Sequence, residues 1–339
     1  RAARMRPAAP RIRRREPVVV GGAWPGHVPP LLRRVYAARG ADRFELARPR
    51  LSDLLPPDAL GGLPAAVALL ASAIRDDRHI VVVGDFDCDG ATACAVGVRG
   101  LRMLGARRVS HAVPNRMVHG YGLSPALVEE LAALQPELLV TVDHGIACHA
   151  GVAAARARGW QVLVTDHHLP GQQLPPADAI VNPNCAGDAF PSKCLAGVGV
   201  IFYVLLALRR HLRQSGAFPA GEPDLSSLLD LVAVGTIADL VPLDANNRAL
   251  AAAGLRRLRA GQACAGLRAL VEVCGRDLAC LTAADIGFAV GPRLNAAGRL
   301  GAADLGLGLL PAPSARRARG LAGYRQALNA ARPEVLPDP

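Results

Sequence analysis

The stretch IVVVGDFDCDG, residues 80–90, decides how this chain folds. Ile80–Val83 is an unbroken β-branched run, and it gives way at once to Gly84 and three alternating aspartates, Asp85, Asp87 and Asp89. An apolar run this short, without polar alternation, reads as a strand buried on both faces. The pattern then turns helical over Ala91–Leu104.

The same rhythm recurs outward from it. Further strands are expected at Val109–Val113, Leu138–Val142, Val162–Thr165 and Ala179–Val181, with helices at Pro125–Leu134 and Ala147–Arg158 between them. Apolar runs alternating with helices of this length indicate an α/β fold, a parallel five-stranded sheet flanked by helices. Before the sheet, helices are expected around Leu31–Ala38 and from Leu63 to Ile74. After it, Leu195–Arg213 and Leu225–Leu240 read as long buried helices, and 248–290 as an alanine-rich helical region. The expected organisation is an Arg-rich arm with a short helix over 1–50, an α/β domain over 51–240, and a helical region over 241–339.

The polar residues are placed with purpose. The second conspicuous run, LLVTVDHG, ends at Asp143, and VLVTDHH ends at Asp166. In an open α/β sheet, ligands bind beyond the carboxyl ends of the strands. Three strands therefore bring carboxylates to one edge, with His144, His167 and His168 beside them. Asp239 lies in the apolar segment LVAVGTIADLVPL and needs a partner if buried.

Composition bounds the rest. The 339 residues carry 39 basic and 28 acidic side chains, a formal charge of +11. Cationic surface collects polyanions, but the seven arginines of residues 1–16, set against Glu16 alone, account for +6 of it. That arm reads equally as a solvated tail or as a phosphate-contacting one. Apolar residues make up 51%, enough for a sizeable core. The longest uncharged apolar stretch, Leu195–Leu208, is 14 residues, too short to span a bilayer, and no signal-peptide core follows the arginines. Eight scattered cysteines without CxxC spacing argue against a zinc ribbon or a disulfide framework. They suit a reducing cytoplasm.

Carboxylates crowded at one edge repel one another unless cations lie among them. Aspartates mixed with imidazoles suit Mn²⁺ or Mg²⁺, and two such ions sharing a carboxylate can activate water against a phosphoester. Two rivals for DFDCDG fail. An EF-hand loop needs Glu at its twelfth position, which is Val96, and it follows a helix rather than a strand. An aspartyl-phosphate phosphatase needs a lysine by the nucleophile, and the only lysine is Lys193 in a loop-like PSKC context. His111 and His211 read as ordinary structural histidines.

GDFDCDGA, VTVDHGI, VTDHHLPG, LAGVGVIFYVLLAL, VGTIADLVPLDANNR and GPRLNAAGRL, in this order, resemble the DHH phosphoesterase superfamily and, within it, the RecJ family of bacterial exonucleases. The likeness runs from about Pro29 to about Ala331. It implies the DHH phosphoesterase fold and a 5′→3′ exonuclease acting on single-stranded DNA, with two ions, Mn²⁺ or Mg²⁺. Carried over by motif, it assigns Asp87 and Asp89 to one ion each, Asp85 close by, and Asp143 as the bridge. His167 and Asp239 would complete the second ion's surroundings, Asp166 would orient the neighbouring imidazole, and His168 would lie near the scissile phosphate. Arg116 in PNRMVHGYGLS, with Arg293, Asn295 and Arg299 in GPRLNAAGRL, match nucleic-acid-facing positions, with loop packing as the blander role. The resemblance further implies a monomer in DNA repair and recombination, with single-strand-binding protein and a helicase as partners.

The sequence departs from the family in three places. Cys88 replaces alanine, and His144 stands where asparagine is usual, either as an added ligand or as a change behind the ligands. The chain ends at Pro339 before the family's DHHA1 and OB domains, and its last stretch breaks at Pro333 and Pro337. The expectation is a truncated form that keeps the metal lobe. Two alternatives to the nuclease stay open: a DHH hydrolase of small phosphorylated substrates such as oligonucleotides, cyclic dinucleotides or pyrophosphate, and a truncated metal- or DNA-binding module without turnover.

Overall fold

The computed structural model describes residues 20–299 together with 310, 320, 322 and 323. The arm at 1–19, most of the stretch beyond 299 and the side chains of Arg116 and Arg299 lie outside the described set. The chain divides into two compact units between Pro49 and Arg50. In the first, helix α1 (Pro30–Ala37) gathers around an aromatic cluster, where Trp24 stacks on Tyr36 at 6.0 Å and meets Phe44 edge-on at 6.2 Å.

The second unit is built on five parallel strands in the order β2-β1-β3-β4-β5. They are β1 (Ile80–Val83), β2 (Val109–Ala112), β3 (Leu138–Val142), β4 (Gln161–Thr165) and β5 (Ala179–Val181). The in-register pairs Ile80–Leu138 and Leu138–Gln161 fix the central ladder. Every expected strand is present to within a residue at each end.

Alternate residues of the strands feed two separate cores, as the two-residue period of a strand requires. Ile80, Val82, Leu138, Val140 and Leu163 face one layer. It contains α2 (Leu63–Arg75), α3 (Cys88–Met103), and then α6 (Gly197–Gln214), α7 (Leu229–Ala238), α8 (Ala245–Arg259) and α9 (Ala265–Val273), the numbers α4 and α5 belonging to the opposite face. Val81, Val83, Leu139, Val162 and Val164 face the other, thinner layer, formed by α4 (Pro125–Leu131) and α5 (His149–Ala157). Both faces are dry, so β1 is fully buried along its length. Burial of each such aliphatic side chain contributes about 1.5–3 kcal/mol.

Three of the boundaries that differ from the sequence reading do so for clear local reasons. The helix after β1 starts at Cys88 rather than Ala91, because Asp87 caps it by accepting from the Gly90 amide at 2.8 Å. The segment from Leu225 is a 3₁₀ turn capped by Asp224 before α7 proper begins at Leu229. The helical region beyond 245 is cut at Gly261 and Gly275, both left-handed. Past residue 240 the second unit continues without a break: α8 lies so close to α7 that Gly254 faces the Leu229 carbonyl. Among the described residues no single helix is long and apolar enough to cross a membrane.

Candidate metal centre

Because β1 and β3 are neighbours whose connections leave in opposite directions, a crevice opens between their carboxyl ends. The loop after β1 fills it from one side. Asp85 is buried and accepts from the Phe86 amide at 2.7 Å. Asp87 is the cap of α3, and Asp89 lies in its first turn. Asp89 is wholly buried, and it holds a second helix: its two oxygens accept from the Gly197 and Val198 amides, the first of α6, at 2.7 and 3.0 Å. A carboxylate there satisfies orphan amides and complements the helix dipole.

From β3 comes Asp143, whose backbone is left-handed at φ 64° and whose amide donates to the Thr165 carbonyl at 3.0 Å. Aspartate tolerates that conformation better than most residues, and such strain gathers at functional sites. Gly197 is needed beside it, since a Cβ there would fall 2.6 Å from the Asp143 Cβ. This gives LAGVGV its physical meaning.

From β4 comes the Asp166–His167–His168 loop. Asp166 accepts from the amides of His167 (2.7 Å), His168 (3.1 Å) and Ile146 (2.9 Å) and from His168 Nδ1 (2.8 Å). The imidazole it orients is therefore that of His168. Burial works to raise the Asp166 pKa, but these bonds outweigh it and the carboxyl stays below the ordinary aspartate value. Asn182 and Asn184, just past β5, donate to the His168 and His167 carbonyls at 2.9 and 2.6 Å. Sequence reasoning missed this clamp; its signal was a pair of turn-forming asparagines at a strand end.

Asp239 arrives from the end of α7. Its Oδ2 lies 3.8 Å from His167 Nε2, which lies 3.1 Å from Asp143 Oδ1. None of these three buried atoms makes a hydrogen bond with acceptable geometry. Two carboxylate oxygens and an imidazole nitrogen that converge without hydrogen bonds fit a cation. The ligand atoms form overlapping groups, each within 4.8 Å: Asp85–Asp87–Asp143, Asp89–His167–Asp239 and Asp143–His167–His168. Seven residues from five loops and helix ends thus converge, and the donor set of carboxylate oxygens with imidazole suits Mn²⁺ or Mg²⁺.

His144 stands apart from these groups. Its Nε2 meets the Val83 carbonyl at 3.0 Å, tying the end of β1 to β3, and burial lowers its pKa so that it stays neutral. Lys193 donates to the Pro183 and Asp188 carbonyls at 2.6 and 2.8 Å and staples its own loop. Asn295, expected to face nucleic acid, accepts from the Cys88 amide at 2.7 Å and so braces the start of α3. Arg293 Nη1 donates to the Ala289 carbonyl at 2.8 Å, four residues back along the chain. Arg116 and Arg299 carry side chains outside the described set.

The electrostatics of the bare cluster are unfavourable. Burial, then the charge of Asp87, raises Asp85 to about 7. Burial first and neighbouring aspartates second push Asp89 and Asp143 well above the aspartate range. Groups whose folded pKa is raised bind protons more tightly folded than unfolded. Their contribution is complete below the unfolded value, near 4, and is lost as pH climbs through the folded value. In EDTA the melting temperature is therefore expected to fall by several degrees between pH 5 and pH 7.5, and Mn²⁺ should remove that decline. A flat EDTA profile across this range would contradict the account.

The model for the DHH family, N-terminal domain, matches residues 79–236. The single-stranded-DNA-specific exonuclease RecJ of Dickeya dadantii (strain 3937) is 54% identical over 314 residues, covering 92% of this chain and 54% of its own length. A crystal structure of exonuclease RecJ bound to manganese superposes with a TM-score of 0.72 at 41% identity, covering 83% of this chain and 68% of that one. RecJ of Thermus thermophilus in complex with Mg²⁺ gives a TM-score of 0.65 at 36% identity, over 88% of this chain and 38% of that one. The chain spans about half the length of the curated relatives it matches.

Proposed function

The chain belongs to the DHH family and, within it, to the RecJ group, and on that footing we propose that it hydrolyses phosphodiester bonds of single-stranded DNA from the 5′ end. The observation that carries this reading is a three-carboxylate group and a carboxylate–histidine group meeting at Asp143, with three buried atoms there making no hydrogen bond. Asp85, Asp87 and Asp143 would hold one ion, and Asp89, His167, Asp239 and Asp143 the other. When bound there, two cations would supply Lewis-acid activation of water and offset the phosphodiester charge.

The remaining steps belong to the chain's own residues. Asp89 fixes the first turn of α6 against the sheet, so that Asp143 is held by packing on Gly197. Asp166 aims His168, whose ring is half exposed and directed by a single 2.8 Å bond. The Asp166 bond also raises the His168 pKa, against the opposing pull of burial. A half-exposed imidazole held in this way at the mouth is suited to a phosphate oxygen. The reading extends to a cytoplasmic monomer in repair and recombination, with single-strand-binding protein and a helicase as partners. All eight cysteines are free, which fits a reducing compartment.

The test compares 5′-labelled single-stranded DNA, duplex DNA and pyrophosphate, each with Mn²⁺ and with EDTA. Mn²⁺-dependent nucleotide release from the single strand alone is expected. Orthophosphate release from pyrophosphate without DNA cleavage would overturn the reading in favour of a small-substrate hydrolase. Metal binding without any turnover would overturn it in favour of a binding module.

A further inference from the structure

Asp239 has no side-chain hydrogen bond to hold it. Its Oδ2 has no hydrogen-bond partner, and the next residue, Leu240, is left-handed at φ 66° and 83% exposed. A leucine in that conformation costs about 1–2 kcal/mol, and solvent-facing apolar atoms return nothing for it. Something downstream must hold the turn.

The holder lies in the DANNR motif at the start of α8. Asn247 is fully buried, and its Nδ2 donates to two carbonyls, Pro242 at 3.0 Å and Cys194 at 2.7 Å. Both partners are acceptors, which fixes the NH₂ end of this amide. The Pro242 carbonyl also receives the Asp244 amide at 3.0 Å. Asp244 in turn accepts from the Asn247 amide at 2.8 Å and the Ser192 hydroxyl at 2.7 Å. Pro242 belongs to the turn that carries Asp239. Cys194 lies three residues before Gly197, where α6 begins and Asp89 is gripped.

One side-chain amide therefore ties together the two backbone segments that place Asp89 and Asp239, members of the same candidate ligand group. We propose that Asn247 is a positioning residue that sets the spacing of Asp89 and Asp239 and thereby the affinity of the second cation. It touches neither ion nor substrate. This rests on the two-cation reading above, and it adds which residue outside the cluster tunes one of the two sites.

The experiment is Mn²⁺ titration of the whole chain by calorimetry, on wild type, Asn247→Leu and Ser192→Ala, with melting in EDTA alongside. Asn247→Leu keeps the branched heavy-atom shape in a somewhat larger side chain and removes both bonds. One of two Mn²⁺ affinities should weaken by about 10–100-fold, the range for residues that orient ligands, while the other changes less than threefold. Ser192→Ala, which loosens Asp244 only, should give a smaller loss at the same site. If Asn247→Leu lowers the metal-free melting temperature but leaves both affinities in their wild-type ratio, Asn247 is merely structural and the proposal fails. Should Asn247→Leu not fold, the outcome rests on Ser192→Ala, and an unaltered affinity ratio there overturns it. If wild type binds fewer than two ions, the failure lies with the two-cation reading itself.

Discussion

An Asp143→Asn variant is expected to fold, to melt no lower than wild type in EDTA, and to lose metal-dependent turnover by on the order of 10³-fold or more. The substitution is chosen for the backbone. Asparagine is at home in the left-handed conformation seen at φ 64°, and it matches the volume that Gly197 leaves open. What changes is charge. Asp143 is the residue common to the Asp85–Asp87 group and the His167–His168 group, and it lies 3.1 Å from His167. Removing its charge weakens both cation sites together, and several kcal/mol of transition-state stabilisation correspond to the stated loss. In the metal-free state the sign reverses. Asp143 there is a buried carboxylate opposed by Asp87, Asp166, Asp239 and Asp85, so neutralising it relieves repulsion. Turnover and two-ion binding close to wild type would refute the metal assignment. A sharp drop in the EDTA melting temperature would show instead that Asp143 is chiefly a scaffold residue.

What the sequence disclosed follows from the range of the interactions involved. The strands were legible because each is a continuous apolar run, and burial on both faces leaves no other reading for Ile80–Val83 or Leu138–Val142. Their acidic exits were legible because Asp85, Asp143 and Asp166 follow the strands directly. The contacts that join distant segments left no local pattern. Asp89 gripping α6, 108 positions away, could be read only as a candidate ligand. The bond from the Cys88 amide to Asn295, 207 positions away, is likewise invisible in either segment. The Asn182–Asn184 clamp was hidden for another reason: asparagines in a turn are ordinary, and only the strand order brings them under the histidine loop.

The same loop carries the second large effect. Asp166→Ala is expected to cost about 3–5 kcal/mol of stability, as loss of one partner in a buried charged network does. In a chain of this size that corresponds to roughly 10 °C in melting temperature. The Asp166 carboxylate is 1% exposed and takes four donors, three of them backbone amides that alanine would leave without a partner. The fourth, His168 Nδ1, would lose its anchor, so turnover should fall by a further 10–100-fold through misdirected imidazole. The pH dependence distinguishes this residue from its neighbours. Its folded pKa is lowered, so its contribution is present above the unfolded value near 4 and is lost as pH falls through the lower folded one. The variant's deficit should thus shrink below pH 4, and shrink again above about pH 6.5 as His168, whose pKa the same bond raises, gives up its proton. The Asp85, Asp89 and Asp143 group acts in the opposite sense, over the range where Asp166 is silent. Thermal melting from pH 3 to pH 8, with and without Mn²⁺, separates the two. If the deficit grew with pH above pH 5, or if Asp166→Ala melted within 2 °C of wild type at pH 6, the carboxylate would not be the anchor of the histidine loop.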